Sequence, residues 1–101
     1  MILYNVTVNI DNDVEEEWIA WMKNKHIPEV LATGQFFDHQ FYRLIGELEN
    51  NGSTYSIQFF ANSMKEIDNY LTNFATKLRD DHIRKFKDKH VAFRTVLETV
   101  E

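Results

Sequence analysis

From Ile2 to Ile10 the side chains alternate strictly, Ile2, Tyr4, Val6, Val8 and Ile10 against Leu3, Asn5, Thr7 and Asn9. From Val14 the apolar spacing lengthens: Val14, Trp18, Trp21 and Met22 fall on one face of a helix, joined by the stem of Lys25. A period of two describes a half-buried strand, and a period near 3.6 an amphipathic helix. The chain therefore passes from a first strand straight into a helix, with Asp11-Asn12-Asp13 as a turn offering capping oxygens. Pro28 lacks an N–H and disfavours helical backbone at Ile27, so a break is expected near His26. A second short helical turn should follow over residues 28–33, with Gly34 supplying a left-handed terminus.

The rest of the chain continues the alternation of element types. Residues 36–47 read as a long second strand, bent or bulged. Glu49-Asn50-Asn51-Gly52-Ser53 reads as a hairpin loop, because Asn-Gly favours the tight turns that join antiparallel strands. Residues 54–60 form a third strand with Tyr55, Ile57 and Phe59 on one face. The Ser63-Met64-Lys65-Glu66 run is a capping box. It opens a second helix with Met64, Ile67, Tyr70, Leu71, Phe74 and Leu78 on one side, continuing through Ile83 and Phe86. In the final strand, residues 91–100, Val91, Phe93 and Leu97 alternate against Ala92, Arg94, Val96 and Val100.

The order β-α-β-β-α-β predicts an α+β, ferredoxin-like fold: a four-stranded antiparallel sheet with two helices on one face. The 101 residues leave no room for two cores, so one domain over 1–101 is expected. The other sheet face should carry Leu3, Phe60, one set from Phe36, Phe37, Phe41, Tyr42, Leu44 and Ile45, and also Val96 and Val100. Such a face is too apolar for water. A homodimer closed through the open sheet face into a barrel is the expected remedy.

The chain has no cysteine, which excludes disulfides, thiolate catalysis and cysteine-held metal. The net charge of −5 disfavours nucleic acid as a partner. A late basic cluster (Lys77, Arg79, Arg84, Lys85, Lys87, Lys89, Arg94) and the early Glu15, Glu16 and Glu17 read as matching of helix dipoles. No signal peptide or membrane span is evident, so a cytoplasmic setting is expected, with no membrane partner.

The pattern Trp18-x-x-Trp21-Met22-x-x-x-His26-Ile27-Pro28, ending at Gly34 before an aromatic strand, resembles the dimeric α/β-barrel superfamily. That superfamily includes the antibiotic-biosynthesis monooxygenases and relatives of the ethyl tert-butyl ether degradation protein. Within it the chain is similar to small, uncharacterised bacterial families of unknown function. The resemblance implies a histidine near the end of the first helix, beside a pocket between helix and sheet. Members include cofactor-free oxygenases, haem enzymes, isomerases and proteins without known activity, so fold alone does not transfer function.

His26 is the sharpest candidate, as a general base near neutral pH or as a metal or haem ligand. The plain alternative is that its ring caps carbonyls freed by Pro28. His39 lies beside Asp38, but neighbouring strand residues point to opposite faces, so the two should not pair. His26 could meet His39 across the pocket. His82 and His90 sit among charges and read as solvated. Trp18, Trp21, His39, Tyr42 and Tyr55 are the candidate ligand-binding residues, suited to a small apolar or aromatic molecule. No metal site is expected, since no H-x-x-x-H spacing occurs, and no cofactor is called for. Glycine-rich phosphate loops are absent. Two readings follow: a homodimeric small-molecule-binding or structural barrel without catalysis, and a cofactor-independent monooxygenase or isomerase with His26 as base and a flat aromatic or polyketide-like substrate.

Overall fold

Strand β1 (Ile2–Asp11) pairs antiparallel with both β3 (Gly52–Ala61) and β4 (His90–Glu98). Strand β2 (Asp38–Arg43) pairs antiparallel with β3, giving the sheet order β2-β3-β1-β4. This is the expected α+β, ferredoxin-like sheet, seen in a computed structural model that describes residues 1–46 and 52–101. The expected loop residues Glu49, Asn50 and Asn51, and Glu47 at the expected end of the second strand, lie outside the described residues.

Strand β2 is shorter than the sequence suggested, and its register with β3 runs from Asp38↔Phe60 to Arg43↔Tyr55 without a bulge. Phe36 precedes the strand and is buried against Tyr4, Phe59 and Tyr70. An aromatic run favours extended backbone, but Phe36 serves here as the anchor of the chain entering the strand.

The first helical segment does not break near His26. A short 3-10 turn (Asn12–Val14) leads into α1 (Glu15–Trp21), a π turn (Met22–His26) and α2 (Ile27–Ala32). The backbone stays right-handed helical at Trp21, His26 and Ile27. In a regular α-helix the proline ring would clash with the carbonyl four residues back and would leave it without a donor. Here the helix widens instead, and the Ile27 N–H reaches back five residues to the Met22 carbonyl. The wider turn changes which residue faces inward. Lys25, expected on the apolar face by its stem, is exposed and pairs with Glu29 at 3.1 Å. The ring of His26 lies over Trp21 instead, at a centroid distance of 4.9 Å.

Gly34 ends the segment with φ +79°, and its N–H bonds to the Leu31 carbonyl at 3.1 Å. An added methyl would meet nothing within 4 Å, so the cost of a side chain here is purely conformational. Gly34→Ala is therefore expected to lower stability by about 1–2 kcal/mol. An unchanged urea midpoint would contradict the left-handed backbone.

The second helical segment is two helices, α3 (Met64–Asn73) and α4 (Ala75–Lys85), interrupted at Phe74 (φ −128°, ψ −34°). Ser63 stands extended at the start of α3, and its hydroxyl donates to the Glu66 carboxylate. The two side chains of the expected capping box thus bond to each other, and the Ser63 hydroxyl does not cap a backbone N–H of the helix. The inward residues of these helices are Ile67, Tyr70, Ala75, Leu78, His82 and Phe86. With Trp18, Met22, Ile27 and Val30 they cover the sheet face formed by Tyr4, Val8, Ile10, Tyr55, Ile57 and Phe59.

The other sheet face is uncovered. Alternation and register place Leu3 with Phe60 and Leu97 at one end, and Asn9 with Thr54 and Val91 at the other. Leu3 and Phe60 lie there as expected, and Phe37, Tyr42 and Leu44 are exposed. Val96 does not join them. It lies opposite Tyr4 and faces the helix layer, while Val100 falls beyond the strand. The face is also less uniformly apolar than expected. Asn5 donates to Thr7 and Thr95 at 3.0 and 3.2 Å and accepts from Ser56 at 2.6 Å. A polar belt thus crosses the middle of the face and continues to Asn9 and Thr54, so the apolar residues lie at the Leu3 end and along the flanking strands.

Candidate functional site

Leu78, His82 and Phe86 recur every four residues along α4 and its end, so they share the face turned to the sheet. His82 is accordingly buried, 4% exposed, and not solvated as its charged neighbours suggested. Its Nε2 accepts a hydrogen bond from the Trp18 indole N–H at 2.9 Å. Trp18 is fully buried and packs edge-on to Phe41 and tilted on Tyr55.

Three histidines meet here. The ring of His82 lies 5.8 Å from that of His26 and 4.5 Å from that of His90. The His90 Nδ1 is 2.9 Å from the Phe86 carbonyl, so it is the protonated nitrogen of that ring. Burial lowers the pKa of His26 to about 4 and that of His82 to about 3. Both rings are therefore neutral at pH 7. Since His82 Nε2 accepts from Trp18, its proton sits on Nδ1.

His26 does not cap carbonyls of a broken helix, because the helix is continuous. Its Nδ1, the His82 Nδ1 and the Arg79 Nε are buried without a hydrogen-bond partner. All three residues line one cavity with Tyr4, Tyr70 and Arg94, holding about 20 Å³ of free space. That is room for about one water-sized group. Among the described residues no group of three histidine or carboxylate side chains is disposed to hold a metal ion.

The structure does not gather the candidate residues into one pocket. His26 and Trp21 border the histidine cluster, and Trp18 joins it through His82. His39 faces the helix layer, stacked on Phe59, and its backbone N–H donates to Asp38 Oδ1 at 2.7 Å. Tyr42 is on the open face. Tyr55 is buried, and its hydroxyl donates to Glu15 and accepts from Arg43 Nη2 at 2.9 Å. Arg43 also bonds Glu15 at 2.8 Å, tying the start of α1 to the ends of β2 and β3. The Tyr55 hydrogen bond holds the Glu15 carboxyl below its ordinary range.

The family model described as Domain of unknown function (DUF4286) matches residues 1–100. The chain belongs to this family. Among solved structures it is similar to a dimeric ferredoxin-like protein from an uncultured marine organism, with a TM-score of 0.76 and 8% identity, covering 99% of this chain and 95% of that one. It is also similar to an ethyl tert-butyl ether degradation family protein from Bacillus halodurans, with a TM-score of 0.69 and 11% identity, covering 99% and 100%. A third likeness is to a protein assigned as an antibiotic-biosynthesis monooxygenase from Bacillus cereus, with a TM-score of 0.63 and 12% identity, covering 99% and 93%. No curated protein matches the chain. At these identities the likeness establishes the ferredoxin-like fold, and no specific catalytic function is established for the family. Among the described residues no helix is long and apolar enough to cross a membrane.

Proposed function

We propose that the chain is one protomer of a homodimeric, small-molecule-binding α/β barrel without catalysis. The observation that carries the binding role is the set of three unpartnered buried polar atoms around one cavity. Leaving such a group unsatisfied costs about 1–3 kcal/mol, a cost that a bound molecule or ordered water removes. In this reading His26 and His82 border the ligand, and Trp21 lies outside the lining, stacked on His26. Trp18 and Tyr55 hold the surrounding elements, while His39 and Tyr42 lie outside the cavity. The resemblance to bacterial families supports a bacterial setting, and a cytoplasmic one is part of the same proposal.

The assembly is supported by the exposed Phe37, Leu44, Val91, Phe93 and Leu97 on one sheet face, and by the likeness to a dimeric ferredoxin-like protein. Two copies packed face to face would cover these apolar residues and bring the polar belts together. A mass of 24.0 kDa, twice 12.0 kDa, is expected at micromolar concentration. Phe93 is 58% exposed, so Phe93→Glu should change protomer stability by less than about 0.5 kcal/mol while shifting the mass to the monomer. A monomeric parent protein would sink the dimer.

A second reading has one observation in its favour. His26 is neutral at pH 7 with a free nitrogen, as a general base must be. Against it, a conjugate acid with a pKa of about 4 makes a weak base, and 20 Å³ does not hold a flat aromatic or polyketide-like substrate. A monooxygenase or isomerase using His26 is accordingly placed second.

A further inference from the structure

Arg79 projects from α4 and Arg94 from β4 into the cavity that His26 and His82 also line. Arg79 Nη2 donates to the Tyr4 hydroxyl at 2.9 Å, and Arg94 bonds the same hydroxyl. Among the described residues neither guanidinium forms an ion pair. The carboxylates whose charge reaches His26 are those of Glu29 and Asp81, already engaged by Lys25 and Lys77. Two like charges thus converge on one phenol, half-buried and without a counter-ion. Burial, and then repulsion from Arg79, lower the Arg94 pKa.

Two of the three unpartnered atoms, on Arg79 and His82, have a definite polarity. Arg79 Nε is a donor and never an acceptor. His82 Nδ1 carries the proton, because Nε2 accepts from Trp18. The Tyr4 oxygen already accepts from arginine, which leaves its own hydrogen to be donated elsewhere. What the Arg79, His82 and Tyr4 donors lack is therefore an acceptor, and the two uncompensated positive charges beside them favour a negative one. Free space of about 20 Å³, close to one water-sized group, excludes a ring and leaves only the smallest acid heads. Paired guanidinium forks match the planar, two-oxygen geometry of a carboxylate.

We propose that this cavity binds the carboxylate of a small organic acid between Arg79 and Arg94, with the Tyr4 hydroxyl and the His82 Nδ1–H completing its hydrogen bonds. This rests on the reading of the cavity as a small-molecule site, and it names the class of molecule. The ligand's substituent leaves between the two half-exposed arginines.

The test compares formate with formamide, which has the same shape and no charge, at pH 7 and fixed ionic strength. Formate should raise the melting temperature saturably, and formamide should not. In nitrogen-resolved spectra, formate should move the side-chain N–H signals of Arg79 and Arg94, but not those of Arg43 and Arg84, the other two of the four arginines. The His82 Nδ1–H should shift with them. Arg94→Gln and Arg79→Gln should each weaken formate binding about tenfold or more. If those variants do not fold, the spectra of the parent protein still decide. Equal responses to formate and formamide would overturn the carboxylate assignment and leave the small-molecule site standing. No saturable response to either would overturn both. Tighter binding of inorganic phosphate than of formate, or undiminished formate binding by Arg94→Gln, would also overturn the assignment.

Discussion

Trp18→Ala is expected to lower folding stability by about 3–5 kcal/mol, the usual cost of deleting a large aromatic side chain from a packed core. Domains of this size have about 5–15 kcal/mol in total, so the variant should be close to unfolding at 25 °C. Two losses combine. Trp18 is 0% exposed and touches Phe41, Tyr55 and His82, so its removal opens a void between α1, α4 and the sheet. It also removes the only donor to His82 Nε2 among the described residues. Trp18→Phe separates the two, because it keeps most of the ring and deletes the N–H. That variant should cost about 1–3 kcal/mol, the penalty for an orphaned buried acceptor. Urea unfolding of both variants is the measurement. A loss below about 1 kcal/mol for Trp18→Ala would refute the packing described here.

Acidification from pH 7 to pH 5 is expected to remove about 4 kcal/mol of stability. Burial holds the pKa of His26 at about 4 and that of His82 at about 3, against an ordinary 6.5. Between these values the unfolded chain binds protons that the folded chain does not, so stability rises with pH through this window. The full contribution is present above 6.5 and is lost as pH falls toward 4. Each histidine accounts for about 2 kcal/mol of the loss at pH 5, because it titrates there only in the unfolded chain. The carboxyls of Glu15 and Glu66 are lowered from 4.5 and exert their effect at more acid pH. The window from 6.5 to 5 therefore reports the histidines. His82→Leu should halve the dependence. Urea midpoints that stay level from pH 7 to pH 5 would show that neither ring is buried as described.

Much of the fold was legible because burial on one side of a sheet imprints a period of two. The β1 alternation, the β3 face of Tyr55, Ile57 and Phe59, and the order of elements all follow from it. Strand ends were less legible. Phe36 looks like strand by propensity and is a core anchor by packing, a distinction made by Tyr4 and Tyr70 far along the chain. In β4 the apolar residues fall on both alternating sets, so the pattern alone left Val96 on the wrong side. The pairing of Val96 with Tyr4 and of Leu97 with Leu3 decides the matter.

The site was legible only in part. His26 stood out by its place beside Pro28, but its partner did not. His82 was hidden by Arg79, Asp80, Asp81, Arg84 and Lys85 around it, although its spacing from Leu78 and Phe86 already placed it inward. Helical spacing also marks Arg79, four residues after Ala75 and three before His82. Burial of an arginine and a histidine runs against residue-type averages. Only the facing strands β1 and β4, with Tyr4 and Arg94, show why the helix turns them in. Glu15 was read as matching the helix dipole, whereas its carboxylate accepts from the Tyr55 hydroxyl and pairs with Arg43.

The widened turn between Met22 and His26 has a consequence for the length of the chain. In an unbroken α-helix each added residue rotates everything after it by about 100°. Trp18 and Met22 lie four apart and are both buried, yet Ile27 and Val30, also buried, are out of phase with them by one residue. The π turn absorbs that one-residue insertion, so both stripes still meet the same sheet without a shift of frame. At this point the length of the chain is uncoupled from its packing, and the residue that occupies the extra circuit is free of the demands of the core.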